Sequence, residues 1–438
     1  MGWGAALALL SGLALPRAAA AFEPVLPGEP RTMHEPGEPV DVADAADVAD
    51  PIDIEVGLTF RLDYERGKIE RVTDAAVDEV GELSALSSRL IPEVKIGIFH
   101  DLAGVVRLPI ILSTTRTIAP AGGRPQTIFS GGVDVFTLPF RSAERSGIEH
   151  LAVGLSWGAM NQARHAALPS LTISAEVEIS VGDAMSACTD PPPDGQVRCA
   201  RPGDQNRNGK RDAAEPDGGT EIDAGTARGS VALALAATVA RRIRYVEPFG
   251  ALRAKIEIPL ADSPFETTSL GIGETFPPVR GEAEIGVGFI PWENRERFSR
   301  VWVDARVNGG FVTRGVDYSP LFDAIGASDA VSLRAPTETA AGRTYASGVT
   351  VSDAHATLGA RGSFVWRASE LIELGLAAAI RHELAYGIVA DSECKGGETS
   401  CSVPTNPAYK KALDGPEGEL TLADSVSLQF AASGAVMF

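Results

Sequence analysis

From Ile52 to Tyr64 the chain alternates apolar and polar residues without a break (Ile-Asp-Ile-Glu-Val-Gly-Leu-Thr-Phe-Arg-Leu-Asp-Tyr). Alternation at period two makes a strand with one apolar and one wet face. These thirteen residues exceed the ~5–6 of an ordinary soluble strand and suit one that crosses a bilayer at a tilt, which needs ~9–11. The signature recurs near 93–100, 105–116, 148–160, 171–181, 229–241, 249–260, 279–290, 300–313, 349–366, 371–386 and 424–438, twelve strands in all. Residues 126–138, with Val133 and Val135, offer a further hairpin, so fourteen is the alternative count.

The connections alternate in length. Those at 66–92, 117–147, 182–228, 261–278, 314–348 and 387–423 are long and polar, and those between them are short. Long external loops alternating with short periplasmic turns, on an even number of antiparallel strands, predict an up-and-down transmembrane β-barrel. Aromatic residues on the lipid-facing parity support it. Tyr64, Phe311 and Tyr386 fall at outer strand ends, and Trp157, Phe289, Trp366 and Phe438 at periplasmic ends, as two girdles. Pro109 interrupts the third strand and predicts a bulge or a local water there. His382 falls on the lipid parity near the outer interface.

Composition sharpens this picture. Hydrophobic residues make up 44% and aromatics 6%, yet no stretch reaches the ~18 consecutive apolar residues of a membrane helix. The net charge of −19 and the lack of a basic cluster exclude a nucleic-acid partner. Residues 1–21 read as a signal peptide: an apolar core through Leu15, then Ala19-Ala20-Ala21 before Phe22. Arg17 follows the core rather than preceding it. Residues 22–50 carry eight acids and one Arg and predict a disordered acidic periplasmic tail. The barrel then occupies 51–438. Two close cysteine pairs, Cys188 with Cys199 and Cys394 with Cys401, lie in external loops, where local disulfides are expected of an exported chain.

The last strand ends Leu428-Gln429-Phe430-Ala431-Ala432-Ser433-Gly434-Ala435-Val436-Met437-Phe438, with Leu428, Phe430, Ala432, Gly434 and Val436 on one face. It resembles the C-terminal strand of Gram-negative outer-membrane β-barrel proteins. The resemblance implies an outer-membrane location, contact with its lipid, and recognition of the terminal Phe by the barrel-assembly machinery.

Two constellations carry candidate chemistry. Asp204-Gln205-Asn206-Arg207-Asn208-Gly209-Lys210-Arg211-Asp212-Ala213-Ala214-Glu215 fits a twelve-residue calcium loop, with Asp204, Asn206, Asn208, Asp212 and Glu215 as oxygen ligands, the Lys210 carbonyl at position seven and Gly209 at the sharp turn. It resembles EF-hand loops without flanking helices, and would hold a structural Ca2+; a solvated Asn/Asp/Gly-rich loop is the other reading. The second constellation is the lumen. Inward parity collects thirteen acids, among them Glu55, Glu257, Glu282 and Glu284, against nine bases: Arg61, Lys95, Arg107, Arg253, Lys255, Arg280, Arg306, Arg361 and Arg381. Mixed charge argues for water inside, and the four surplus acids for a weak cation preference. Gly286, Gly288, Gly359 and Gly375 alternate with them and suggest room along the axis. The six histidines form no cluster with a nucleophile and an acid, so the chain does not read as an enzyme. It reads as a narrow porin-like channel for passive passage of small hydrophilic solutes. A non-conducting surface or envelope-assembly protein whose braced loops bind a partner is the alternative.

Overall fold

The structure, a computed structural model, describes residues 32–33, 42–43, 53–73, 76–99, 101–130, 133–162, 165–189, 198–200, 210–211, 220–221, 224–260, 263, 265, 276–328, 348–389 and 419–438. Twelve strands form its wall: β1 (Ile54–Val72), β2 (Val77–Phe99), β3 in two segments (Leu102–Arg107 and Ile110–Pro120), β4 in two (Arg145–Ile148 and His150–Met160), β5 (Ser170–Ser180), β6 (Ser230–Ala240), β7 (Val246–Pro259), β8 (Arg280–Asn294), β9 (Ser299–Val312), β10 (His355–Arg367), β11 (Ile372–Glu383) and β12 (Glu419–Met437). Each pairs antiparallel with its neighbour, and β12 returns to β1 from Glu419 opposite Val72 to Met437 opposite Glu55. Phe438 and Ile54 exchange backbone hydrogen bonds at 2.8 and 3.2 Å, sealing the ring. Closure leaves no strand edge without a partner, the condition for β-structure in hydrocarbon. The 126–138 segment does form a hairpin, but it is a separate two-stranded sheet, so the wall has twelve strands.

The outward positions form an apolar belt: Leu58, Phe60, Leu155, Ile256, Val287 and Leu376 are all exposed. Tyr64 and Phe311 mark its outer rim, and Trp157, Phe289, Trp366 and Phe438 its periplasmic rim, all exposed, with Phe99, Tyr245 and Trp292 adding to the latter. Tyr386 does not belong to the girdle. Strand β11 ends at Glu383, and the short strand Tyr386–Val389 turns Tyr386 onto His355, ring centroids 4.0 Å apart, beside a buried core. The break expected at Pro109 is present: β3 is interrupted after Arg107, and the β2–β3 register shifts between Ser88 and Arg89. The wall stays bonded through it, from Leu108 N–H to the Pro92 carbonyl at 3.1 Å and from Glu149 N–H to the Pro109 carbonyl at 3.0 Å.

The first external connection differs from the sequence reading. Residues 66–92 are not a long loop: β1 and β2 continue as one hairpin, with Val72 opposite Val77. The reason is a change of solvent. Past Tyr64 the outward positions meet water, and Arg66 and Glu82 bridge there at 2.9 Å. The same strands' inner face becomes apolar, with Ile69 and Leu83 fully buried. A lipid-facing pattern therefore ends at Tyr64 although the strand does not. Within the tail, Thr32–Met33 pairs with Val42–Ala43, and the latter lies against β2, β3 and β4.

Candidate functional site

Inward side chains pair across neighbouring strands around most of the lumen. Lys95 Nζ lies 2.9 Å from Glu55 and 3.3 Å from Glu93, and Arg107 bridges Glu93 at 2.7 Å and Glu176 at 2.8 Å. Farther round, Lys255 meets Glu178 at 2.5 Å, and Arg253 meets Glu282 at 3.1 Å and Glu284 at 3.5 Å. Arg306, wholly buried, sits 3.2 Å from Glu284 and 2.6 Å from Asp304. Arg61 pairs with Asp63 at 2.9 Å. Charges of this density are tolerable inside a membrane only when each has a partner.

Strand β6 interrupts the charged ring. Its inward residues, Ser230, Ala232, Ala234, Ala236 and Thr238, carry no charge and little volume. Between the flanking strands β5 and β7 they leave a cavity of about 300 Å³ whose wall includes Arg107, Glu176, Glu178, Arg253, Lys255 and Glu282. The glycines make less room than their alternation suggested. A Cβ at Gly286 would lie 2.4 Å from the Phe249 ring, and one at Gly288 the same distance from Trp302 Nε1. Gly359 and Gly375 are likewise covered, by Asn308 and Ser433. The glycines seat inward side chains of adjacent strands, and Arg306 stacks over Phe249 at 5.3 Å to complete a filled layer.

Above the lumen the described external residues fold into a cap. Its helix, α1 (Phe322–Gly326), is buried at every residue. Leu321, Ala324 and Ile325 pack into one apolar cluster with the 126–138 hairpin (Ile128, Val135, Phe136, Leu138) and with the inner faces of the extended strands (Ile69, Leu83, Ile118, Leu420, Leu422). Phe322 enters a second cluster with Phe265, Val316, Val351 and Val389. Asp323, between the two, takes a two-pronged bond from Arg145 at 2.5 and 3.1 Å and another from the Cys188 N–H at 3.0 Å. Arg145 also donates to the Ser186 carbonyl at 2.8 Å. Helix α1 is thereby fixed to the wall and to the third external loop by one buried carboxylate.

A second polar knot ties the cap to the rim. Arg228 meets Glu257 and Asp317 at 2.7 Å each, Arg280 meets Asp317 at 2.7 Å, and the Tyr318 hydroxyl donates to the Arg228 carbonyl. Burial alone would raise the Asp317 carboxyl, but the Arg228 and Arg280 guanidiniums more than reverse this and hold it well below the usual carboxylate range. Burial raises the Tyr318 hydroxyl far above the ordinary tyrosine value.

Of the expected metal loop, Asp204, Asn206, Asn208, Asp212 and Glu215 lie outside the described residues; the backbone of Lys210 is described, opposite Glu221 in a two-residue ladder. Cys394 and Cys401, and the signal segment 1–21, also lie outside them. Cys188 and Cys199 stand directly opposite each other in the Ala187–Thr189 and Arg198–Ala200 ladder. The cap was invisible to strand parity, because its helix has only five residues and its clusters join segments far apart in the chain. The signal that points to it is the apolar inner face of β1 and β2 beyond Tyr64.

No family model and no curated protein sequence matches the chain. Among solved structures it is similar to an outer-membrane channel from Pseudomonas putida (8% identity over 87% of this chain and 96% of that one, TM-score 0.37). It is also similar to a FadL homologue from Pseudomonas aeruginosa (6%, 88% and 90%, TM-score 0.34) and to the outer-membrane protease OmpT from Escherichia coli (8%, 88% and 97%, TM-score 0.29). The even ring of antiparallel strands, the apolar belt and the two aromatic rims make the chain a twelve-stranded transmembrane β-barrel, the architecture of outer-membrane proteins.

Proposed function

We propose that the protein is a narrow channel for passive passage of small hydrophilic solutes, and that the conformation described is its closed state. The observation that carries this reading is a lumen walled by paired charges around a cavity of about 300 Å³, beneath the apolar clusters of the cap. Side chains of both signs favour water along the axis, and apolar clusters at the mouth oppose it. The glutamates lining the cavity are each bound to a cation, Glu176 to Arg107, Glu178 to Lys255 and Glu282 to Arg253, as groups that line a water path. The binding or assembly alternative makes the cap a surface rather than a gate. Contact with lipid and recognition of the β12 terminus by the assembly machinery complete the proposal.

Charge in the lumen gives its test. Glu282 and Glu284 balance Arg253, Arg306 and Arg381. The double variant Glu282→Gln/Glu284→Gln is expected to lower the cation-to-anion permeability ratio of the reconstituted barrel while folding is retained, as read by heat-modifiable migration. An unchanged ratio in a conducting, folded variant contradicts a path along these residues.

The cysteine register supports a local bridge that braces the cap where the Cys188 N–H meets Asp323. Peptide mapping of the oxidised protein is expected to recover Cys188 joined to Cys199 and Cys394 joined to Cys401. Free thiols, or one bridge between the two loops, would refute this bracing. If the 204–215 loop binds Ca2+, the ion stiffens the same external loop.

A further inference from the structure

The inward acids outnumber the inward bases along the whole lumen, whereas among the residues that line the cavity beside β6 the cations are the more numerous. Its lining holds five cations (Arg107, Arg253, Lys255, Arg280, Arg381) against three carboxylates (Glu176, Glu178, Glu282). Three of these cations also have carboxylate partners just outside the lining, Arg107 with Glu93, Arg253 with Glu284 and Arg280 with Asp317, so the cation left to a solute is the least engaged one.

The cations are unequally occupied. Arg107 and Lys255 sit close against carboxylates, at 2.7 and 2.5 Å. Arg381 reaches Glu282 only at 3.9 Å and donates one bond, to Thr357 at 3.3 Å. A guanidinium carries five N–H donors. Its side chain is 42% exposed, so solvent reaches it, yet its Nε is buried without a hydrogen-bond partner. Arg361, on the neighbouring strand one step toward the periplasmic end, stands opposite Arg306, and its Nε is also buried without a partner. Arg381 faces Gly359, over which the Asn308 amide lies. Arg381, a guanidinium in the cavity wall with donors to spare, matches the planar, two-pronged geometry of an oxyanion, and Arg361 lies one step below it, outside the lining.

We propose that this cavity is a binding site for a small oxyanion, a solute bearing a carboxylate or phosphate group, gripped by Arg381 with Arg361 beneath it. About 300 Å³ is at the small end of ligand pockets and suits a compact solute. The alanines of β6 supply the space, and the apolar Val312 gives the site one dry side. The proposal rests on the channel reading for its biological sense, since it names the class of solute the lumen would hold.

Calorimetric titration of the refolded barrel tests it, with succinate and inorganic phosphate as separate probes and glycerol and putrescine as neutral and cationic controls. The same titrations on Asp323→Ala, whose cap is loosened, ensure access from the outer side. Saturable binding of at least one anion is expected, weakening as salt is raised, with an affinity at least tenfold lower in Arg361→Gln/Arg381→Gln. The more conservative Arg381→Lys, which keeps the charge and loses the fork, is expected to fall between them. Which anion binds distinguishes a carboxylate from a phosphate solute. The site is refuted if neither anion binds to either protein, if the double variant binds as tightly as the parent, or if putrescine binds in preference. A barrel that conducts yet binds neither anion removes the site and leaves the channel. One that binds and never conducts removes the channel and leaves the site.

Discussion

Replacing Asp323 by alanine is expected to release the cap while leaving the barrel wall folded. The carboxylate is 2% exposed and its partner Arg145 8%. Removing one member of a buried pair leaves an uncompensated charge and costs about 3–5 kcal/mol, whereas replacing both members by apolar groups is close to neutral. The loss falls on the cap, because α1 touches the wall through its clusters and this carboxylate, while the twelve-strand ladder is bonded independently. Limited proteolysis of reconstituted Asp323→Ala should therefore cut the external segments at least tenfold faster, with heat-modifiable migration unchanged. Arg145→Met/Asp323→Leu should restore the protection. Equal cleavage of parent and single variant would mean that the buried pair does not hold the cap.

The wall itself predicts a contrast between adjacent residues. Leu58 faces the lipid and is 48% exposed on the bare protein, whereas Thr59 faces inward. Arginine at Leu58 is expected to lower folding stability in lipid by roughly 2–4 kcal/mol, the cost of a cation near the membrane midplane. Arginine at Thr59 should cost much less, since that position faces the lumen and not the lipid. Val287→Arg repeats the lipid-side loss. Gly286, its neighbour, cannot serve as the inward control, because any side chain there strikes Phe249 and the Arg306 stem. Urea titration of the refolded variants measures the difference, and equal losses at Leu58 and Thr59 would contradict the assigned faces.

Strand parity reports only what differs between the two faces of a strand. An unbroken alternation such as 52–64 reports a strand whose two faces meet different solvents, and lipid against water gives the sharpest contrast available. The crossing portions of the strands were accordingly readable, as was the break at Pro109. Parity fails where the outer solvent changes. Beyond Tyr64 the strand turns its charged residues outward, and the alternation inverts without the strand ending, so 66–92 looked like a loop. It fails again where contacts are not local. Asp323 meets Arg145, 178 positions away in the chain, and no spacing rule joins them. The sites seating Phe249 and Trp302 were misread for a related reason: a glycine in a strand marks either empty space or a neighbour's side chain, and only the fold distinguishes the two.

The charged residues of the lumen illustrate the same limit. Parity lists them as inward, but their chemistry depends on partners across strands. Glu284 is shared between Arg253 and Arg306, while Arg381 is barely engaged. A count of charges gives the net sign of the whole lumen; the space of the cavity comes from β6, which carries alanines between two charged neighbours.

Planar-bilayer recording shows whether a water path runs beneath the folded cap. The refolded parent is expected to give small, infrequent conductance steps, and Asp323→Ala larger and longer ones at the same protein density and salt. Silence from both proteins, with correct folding established by heat-modifiable migration, would contradict the channel and favour a barrel that presents its external surface to a partner.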